Sequence, residues 1–370
     1  MHQRRGAALL PSVLAAALSV AATACHRQDH NHKPPPSLRS SAHVEAAPRS
    51  GASVSWLARA IENVDIATPT FGLRDSAGVP MDALKVVEYP RGYLGVYHSS
   101  TPQGFAVRVA TSTDLRTWTY RTQLDANASQ PTLAVLSDSG YVLAVEADNG
   151  GRAGPGRRWL RFRHYTDWQE LLSARPDRTF NAPHTLTAAA RGAEGTPNIY
   201  SATIERNIDH SDIEVGFHFL TRGVDREARG VLTNFSSWAT RHDNGLDRAL
   251  AAIGMDGKHG DRDSVEIGAR LFTIVESQDD SDGVWKVQLL DPAAATTRRL
   301  AINTAGGSTS FANPTLTIVT LPTGRKRLVV TLFIPRTGSA PGEVGELLYY
   351  RDLPPGWAGM RSPITPGQRA

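Results

Sequence analysis

A three-strand unit that returns five times constrains the fold of this chain more than any other feature. Short runs rich in Val, Ile, Leu, Tyr and Thr are separated by Gly, Asp, Asn and Pro clusters, and long stretches of helical period are scarce. That pattern is the mark of an all-β fold. First strands open at Asp82, Gln130, Thr196, Asp263 and Asn313, each polar residue being followed by Ala, Ser or Pro, at spacings of 48, 66, 67 and 50 residues. A turn and a second strand follow each time, ending at His98, Glu146, His218, Glu276 and Phe333. Third strands run over 105–110, 159–165, 229–234, 285–290 and 346–350.

Units of three to four antiparallel strands at this spacing predict a propeller, in which radial repetition protects the sheet edges. Five units predict five blades. A two-sheet sandwich would share the composition but would not place a polar residue at one register of every repeat. Three third strands lead into Trp118, Trp168 and Trp238, read as packing between blades. The fifth repeat has no clear outer strand left, so the segment around 53–71 is expected to supply it. Helix is expected at 246–253, with a second, short helical stretch near 167–174.

The first strand of a blade lines the axis and the second runs back beside it, so first-strand starts and second-strand ends share one rim. Asp82, Gln130, Thr196, Asp263, Asn313, His98, Glu146, His218 and Glu276 are therefore expected together there. Polar side chains in otherwise apolar strands are costly unless paired or solvated. Two readings follow, an acidic axial pocket or a hydrogen-bonded plug. His98, His218, Glu146 and Glu276 are competent metal ligands by type. They are read instead as satisfied rim residues, and no metal or cofactor is expected.

Glu194 lies two residues before its blade's opening, in Glu194-Gly195-Thr196-Pro197-Asn198-Ile199-Tyr200. With this start, Asp82-Ala83 and the turn Ser112–Trp118, residues 70–352 resemble the five-bladed glycoside hydrolases of the arabinanase and β-xylosidase type. The chain departs from them in having Asp-Ala for Asp-Pro, in the extra Thr196, and in the order of its acidic residues around the ring. The resemblance implies Asp82 as general base, Glu194 as general acid and Asp263 as the carboxylate that raises the acid's pKa. On the pocket reading, the rim register makes His98, Gln130, Glu146, His218, Glu276 and Asn313 the candidate saccharide-binding residues. Crowded carboxylates at a low-dielectric rim would keep one of them protonated near neutral pH. A non-catalytic propeller that binds glycan or protein is the alternative.

The N-terminus carries Arg4-Arg5, an apolar run from Ala7 to Ala22 and then Ala22-Thr23-Ala24-Cys25. That order describes a secretory signal peptide. Its end resembles a bacterial lipobox, which implies cleavage after residue 24 and lipidation of Cys25. The expected organisation is a signal over 1–24, a lipid-anchored tether over 25–51 rich in His, Pro and Ser, the propeller over 52–356, and a tail over 357–370. His26, His30 and His32 belong to the tether and are read as solvated.

Cys25 is the only cysteine, which excludes a disulfide framework within the chain. Packing and backbone pairing must hold the fold. A formal charge of +4 argues against nucleic acid as a partner. The arginines at 152, 157, 158, 161 and 163 are read as a solvated face. A monomer in the bacterial cell envelope is expected, periplasmic or surface-exposed, with a saccharide as its partner and the membrane reached through the lipid. No Gly-rich phosphate loop and no Gly-x-Ser-x-Gly elbow is present.

Overall fold

The computed structural model describes residues 50–65, 67–148, 158–187, 193–255, 258–267, 270–278, 283–291, 296–354 and 360–361. The signal, Cys25, the tether up to residue 49 and the arginines at 152 and 157 lie outside the described residues. Among the described residues the strands form five antiparallel sheets arranged as a five-bladed propeller. Blade 1 holds β1 (Asp82–Tyr89), β2 (Gly92–Thr101), β3 (Gly104–Ser112) and β4 (Thr119–Ala126). Blade 2 holds β5 (Ala128–Val135), β6 (Tyr141–Ala147), β7 (Trp159–Tyr165) and β8 (Arg178–Asn181). Blade 3 holds β9 (Glu194–Ile204), β10 (Ser211–Thr221), β11 (Val224–Thr233) and β12 (Ser237–His242). Blade 4 is built from β13 (His259–Ile267), β14 (Arg270–Gln278), β15 (Trp285–Asp291) and β16 (Thr296–Arg299). Blade 5 has β17 (Ala312–Thr320), β18 (Lys326–Ile334) and β19 (Gly345–Asp352).

The inner strands close the ring, with β1 against β5, β5 against β9, β9 against β13, β13 against β17, and β17 back against β1. Hydroxyls seal the last junction. Thr315 and Thr331 both donate to the Leu84 carbonyl, at 2.9 and 2.7 Å, and Thr317 donates to that of Val86 at 2.7 Å. Blade 5 is completed in part from upstream, as expected, where Thr70 exchanges two backbone bonds of 2.9 Å with Leu348. Upstream of that, the chain is α1 (Ser50–Glu62), which the sequence reading missed. Leu57, Ala58 and Ile61 fall on one helical face, and they are buried with Phe272, Ile274, Val330 and Leu347 of blades 4 and 5. Past residue 356 the chain is not a plain tail, because β20 (Met360–Arg361) pairs with Ile267 and Glu266 at the edge of β13.

The tryptophans pack as expected. Trp238 packs between Phe162 of blade 2 and Phe217 of blade 3, with ring centroids 5.5 and 5.8 Å away. It lies over Gly230, where any Cβ would stand 2.0 Å from the indole. Trp118 is buried over Gly95 in the same manner. Trp168 opens α2 (Trp168–Leu172), half-buried beside a cavity, and meets Tyr89 of blade 1 edge-on with ring centroids 5.8 Å apart, so it too packs between blades. The helix expected at 246–253 is α3 (Asn244–Ala251), capped by the Asp243 carboxylate accepting the Leu246 amide.

Candidate functional site

Each inner strand begins with the same irregularity. Ladder pairs step from Asp82↔His98 to Lys85↔Val96, from Ser129↔Glu146 to Thr132↔Ala144, and from His259↔Ser277 to Arg262↔Val275. Blades 3 and 5 repeat the step at Gly195↔His218 and Ala312↔Phe333. One extra residue on the inner strand makes a bulge. Inside it Ala83, Gln130, Thr196 and Asn313 take left-handed backbone angles, with φ of 50, 50, 45 and 47°. Such angles are uncommon outside glycine, and for β-branched Thr196 they are a real outlier.

These bulges correct the register read from the sequence. Asp82 aligns with Ser129, Gly195, His259 and Ala312, whereas Gln130, Thr196 and Asn313 align with Ala83. Asp263 stands four residues inside its strand. The polar run His259-Gly260-Asp261-Arg262-Asp263 conceals where β13 starts, while the other openings pass quickly into apolar residues.

At the rim a directed chain of hydrogen bonds forms around Asp82. Asn313 donates through Nδ2 to Oδ1 of Asp82 at 2.7 Å, and Gln130 donates through Nε2 to Oδ1 of Asn313 at 3.0 Å. Because an ionised carboxylate only accepts, it fixes the orientation of both carboxamides in turn. The outcome is a buried Oε1 of Gln130 with no partner among the described residues. His98 accepts the Gln130 amide on Nδ1 at 3.2 Å, which leaves Nε2 to donate to Oδ2 of Asp82, also at 3.2 Å. The Asp82 side chain keeps 20% of its surface exposed, whereas that of His98 keeps 4%. The ring of Phe105 meets His98 edge-on at 4.8 Å.

A second group lies beside it. Glu146 accepts the Thr196 amide at 3.1 Å and pairs with Arg158 at 2.9 Å. Burial pushes the Glu146 carboxyl up, with Arg158 and the Thr196 amide opposing the shift. Thr196 in turn meets Nδ1 of His218 through its hydroxyl. Burial pulls that imidazole down to about 3, helped by the charges of Arg262, His259 and Arg158. Glu276 accepts the Asn313 amide. His98, Glu146 and Glu276 thus each hold the bulge amide of the next blade, so part of the polar rim serves to lock blades together.

Two expected residues stand apart from this group. Glu194 is 2% exposed, and its Oε1 accepts the amides of Thr185, Leu186 and Thr187 at 2.8–3.0 Å, bracing the loop between β8 and β9. Asp263 sits deeper on the axis. Lys85 of blade 1 donates to its Oδ2, Leu316 of blade 5 donates its amide to the same atom at 2.9 Å, and Asn198 of blade 3 reaches Oδ1 at 2.6 Å. A hydrogen-bonded plug therefore lies beneath the rim. Lys85 was missed in the sequence, where a lone lysine inside Leu84-Lys85-Val86-Val87 was the available sign. The arginine face also proves to be paired, since Arg161 and Arg163 both hold Asp125, at 3.0 and 3.1 Å. Among the described residues no group of three His, Cys, Asp or Glu is arranged to hold a metal ion.

No protein-family model and no curated protein matches the chain. Among solved structures it is similar to a family-62 glycoside hydrolase in complex with xylotriose, at 9% identity and a TM-score of 0.46, over 76% of this chain and 94% of that one. The catalytic domain of a family-62 α-L-arabinofuranosidase from Coprinopsis cinerea is 10% identical, with a TM-score of 0.46, over 76% and 95%. An exo-1,5-α-L-arabinanase from a bovine ruminal metagenomic library is 9% identical, with a TM-score of 0.47, over 76% and 95%. At this identity and superposition the likeness carries nothing about what this chain binds.

Proposed function

We propose that this chain is a saccharide-binding β-propeller of the bacterial cell envelope, exported and anchored through a lipid on Cys25, with the ligand held at the rim around Asp82. One observation carries the reading. The chain Gln130 to Asn313 to Asp82 ends in an unpartnered carboxamide oxygen, beside a carboxylate that is still partly exposed. An unpaired buried acceptor costs about 1–3 kcal/mol, and a sugar hydroxyl is a donor that would relieve it. Planar amides and a partly exposed carboxylate are groups that suit a ligand rich in hydroxyls.

Hydrolysis is the second reading, favoured by Glu146. Its carboxyl is held toward the protonated form by burial, on the same rim as Asp82. In that case Glu146 serves as the proton donor and Asp82 activates water, while Glu194 retains its loop-bracing role. Calorimetric titration of the full chain in detergent with arabino- and xylo-oligosaccharides tests the binding reading. Saturable binding that Asp82→Asn weakens at least tenfold supports it, and binding indifferent to that change overturns it. Release of reducing ends that stops in Glu146→Gln and persists in Glu194→Gln would establish the second reading.

A further inference from the structure

β1 runs from Asp82 at the rim to Tyr89, about 23 Å away at roughly 3.3 Å per residue. At that far end the axis opens into a cavity of about 390 Å³. Its floor is the Lys85–Asp263 pair, and Tyr89, Tyr141 and Trp168 stand among its walls with the carboxylates of Glu88 and Asp167. Nothing in the rim site uses this space.

The wall chemistry is selective. Tyr89 and Trp168 meet edge-on, with centroids 5.8 Å apart at 66°. Lys85, the only basic residue of the lining, is already bonded to Asp263. Glu88 keeps one oxygen on the Thr320 amide at 2.7 Å, and Asp167 caps α2 by accepting the Glu170 amide at 2.9 Å. Burial pushes the Glu88 carboxyl up, the Thr320 amide and the charge of Lys326 oppose that shift, and Lys326 is turned onto the Thr320 hydroxyl at 2.6 Å. The guanidinium of Arg91, outside the lining, stands 4.7 Å from the centroid of the Trp168 ring. That ring therefore already accepts a cation on one face.

Aromatic walls with an acidic surplus attract a weakly hydrated cation through ring quadrupoles and charge, and they repel anions. We propose that this cavity is a second ligand site, which takes an alkylammonium group between Tyr89, Tyr141 and Trp168, with Glu88 and Asp167 supplying the counter-charge. The site does not depend on the saccharide reading of the rim.

Titration calorimetry of the full chain with choline, and with its uncharged isostere 3,3-dimethylbutan-1-ol, tests the proposal. Choline is expected to bind saturably and the isostere at least tenfold more weakly. The pair Glu88→Gln and Asp167→Asn is expected to weaken choline at least tenfold and to leave the isostere unchanged. Asn is also a good helix cap, so α2 survives the second change. Phosphatidylcholine vesicles separate the sources of the group. Sedimentation with them that Trp168→Leu abolishes identifies a lipid headgroup, and binding of free choline without them identifies a soluble ligand. Equal affinity for choline and the isostere, or no binding of choline in either form, overturns the proposal.

Discussion

Asn313 donates its carboxamide to Oδ1 of Asp82 at 2.7 Å, and so joins the last blade to the first at the mouth of the axis. The bond both closes the ring and sets the polarity of the rim. It turns Oδ1 of Asn313 toward Gln130 and leaves Oε1 of Gln130 buried without a partner among the described residues. Asp82 and Asp263, which the sequence reading places at one level, belong to different parts of the molecule, a rim and a plug.

Breaking the plug should be costly. Lys85→Ala leaves Asp263 charged and buried, with its side chain 5% exposed. Removal of one partner of a buried pair typically costs about 3–5 kcal/mol. Urea denaturation should show a loss of that size, and a loss under about 1 kcal/mol would contradict the structural role of the pair.

Glu194→Gln separates bracing from binding. The variant keeps an acceptor for the 185–187 amides but loses the charge that strengthens those bonds. A stability loss of about 1–2 kcal/mol, with saccharide affinity unchanged within about twofold, is expected from denaturation and calorimetry together. An affinity that collapses while stability holds would return Glu194 to the ligand site.

Much of the fold was legible because periodicity carries it. Blade number, strand order, the interblade role of Trp168 and Trp238, and the borrowed stretch at Thr70 all follow from spacing and turn chemistry. Register was harder. A bulge adds one residue without a composition signal when the residue in left-handed geometry is Ala83, Gln130 or Thr196 rather than glycine. Alternation then fails by one position, which is how Gln130 and Asn313 came to be aligned with Asp82. Glu194 was misread for a related reason: adjacent strand residues face opposite ways, and its side chain turns to the 185–187 loop. The helix over 50–62 was hidden by the low-complexity tether that leads into it.

The bulges make a backbone prediction. Ala83 is fully buried at φ 50°, in a region that costs an L-residue about 1–2 kcal/mol. Ala83→Gly should therefore be neutral or stabilising by up to about 1 kcal/mol, although glycine ordinarily destabilises a strand. Ala134→Gly, in the regular part of β5, serves as the control and should destabilise. Equal losses at the two sites in thermal melts would contradict the strain assigned to the bulge.

His218 gives a pH dependence of known sign. Its imidazole is held near 3 in the fold against 6.5 in the free side chain, burial being the main cause. The unfolded chain therefore takes up the proton first as the pH falls. The stability linked to His218 is complete above 6.5 and is lost as the pH drops toward 3, by about 1 kcal/mol per unit. Comparison with His218→Asn from pH 7 to 4 should show the two stability curves converge or cross. Parallel curves would mean that the imidazole is not held neutral.

The rim at Asp82 is the centre of the account, and one titration addresses it most directly. The full chain, Asp82→Asn and Glu194→Gln are each titrated with the same arabino- and xylo-oligosaccharide panel. The account predicts saturable binding of at least one saccharide by the full chain, a loss of at least tenfold in Asp82→Asn, and affinity preserved in Glu194→Gln. A folded chain that binds none of them, or one whose affinity falls with Glu194 and not with Asp82, would contradict it.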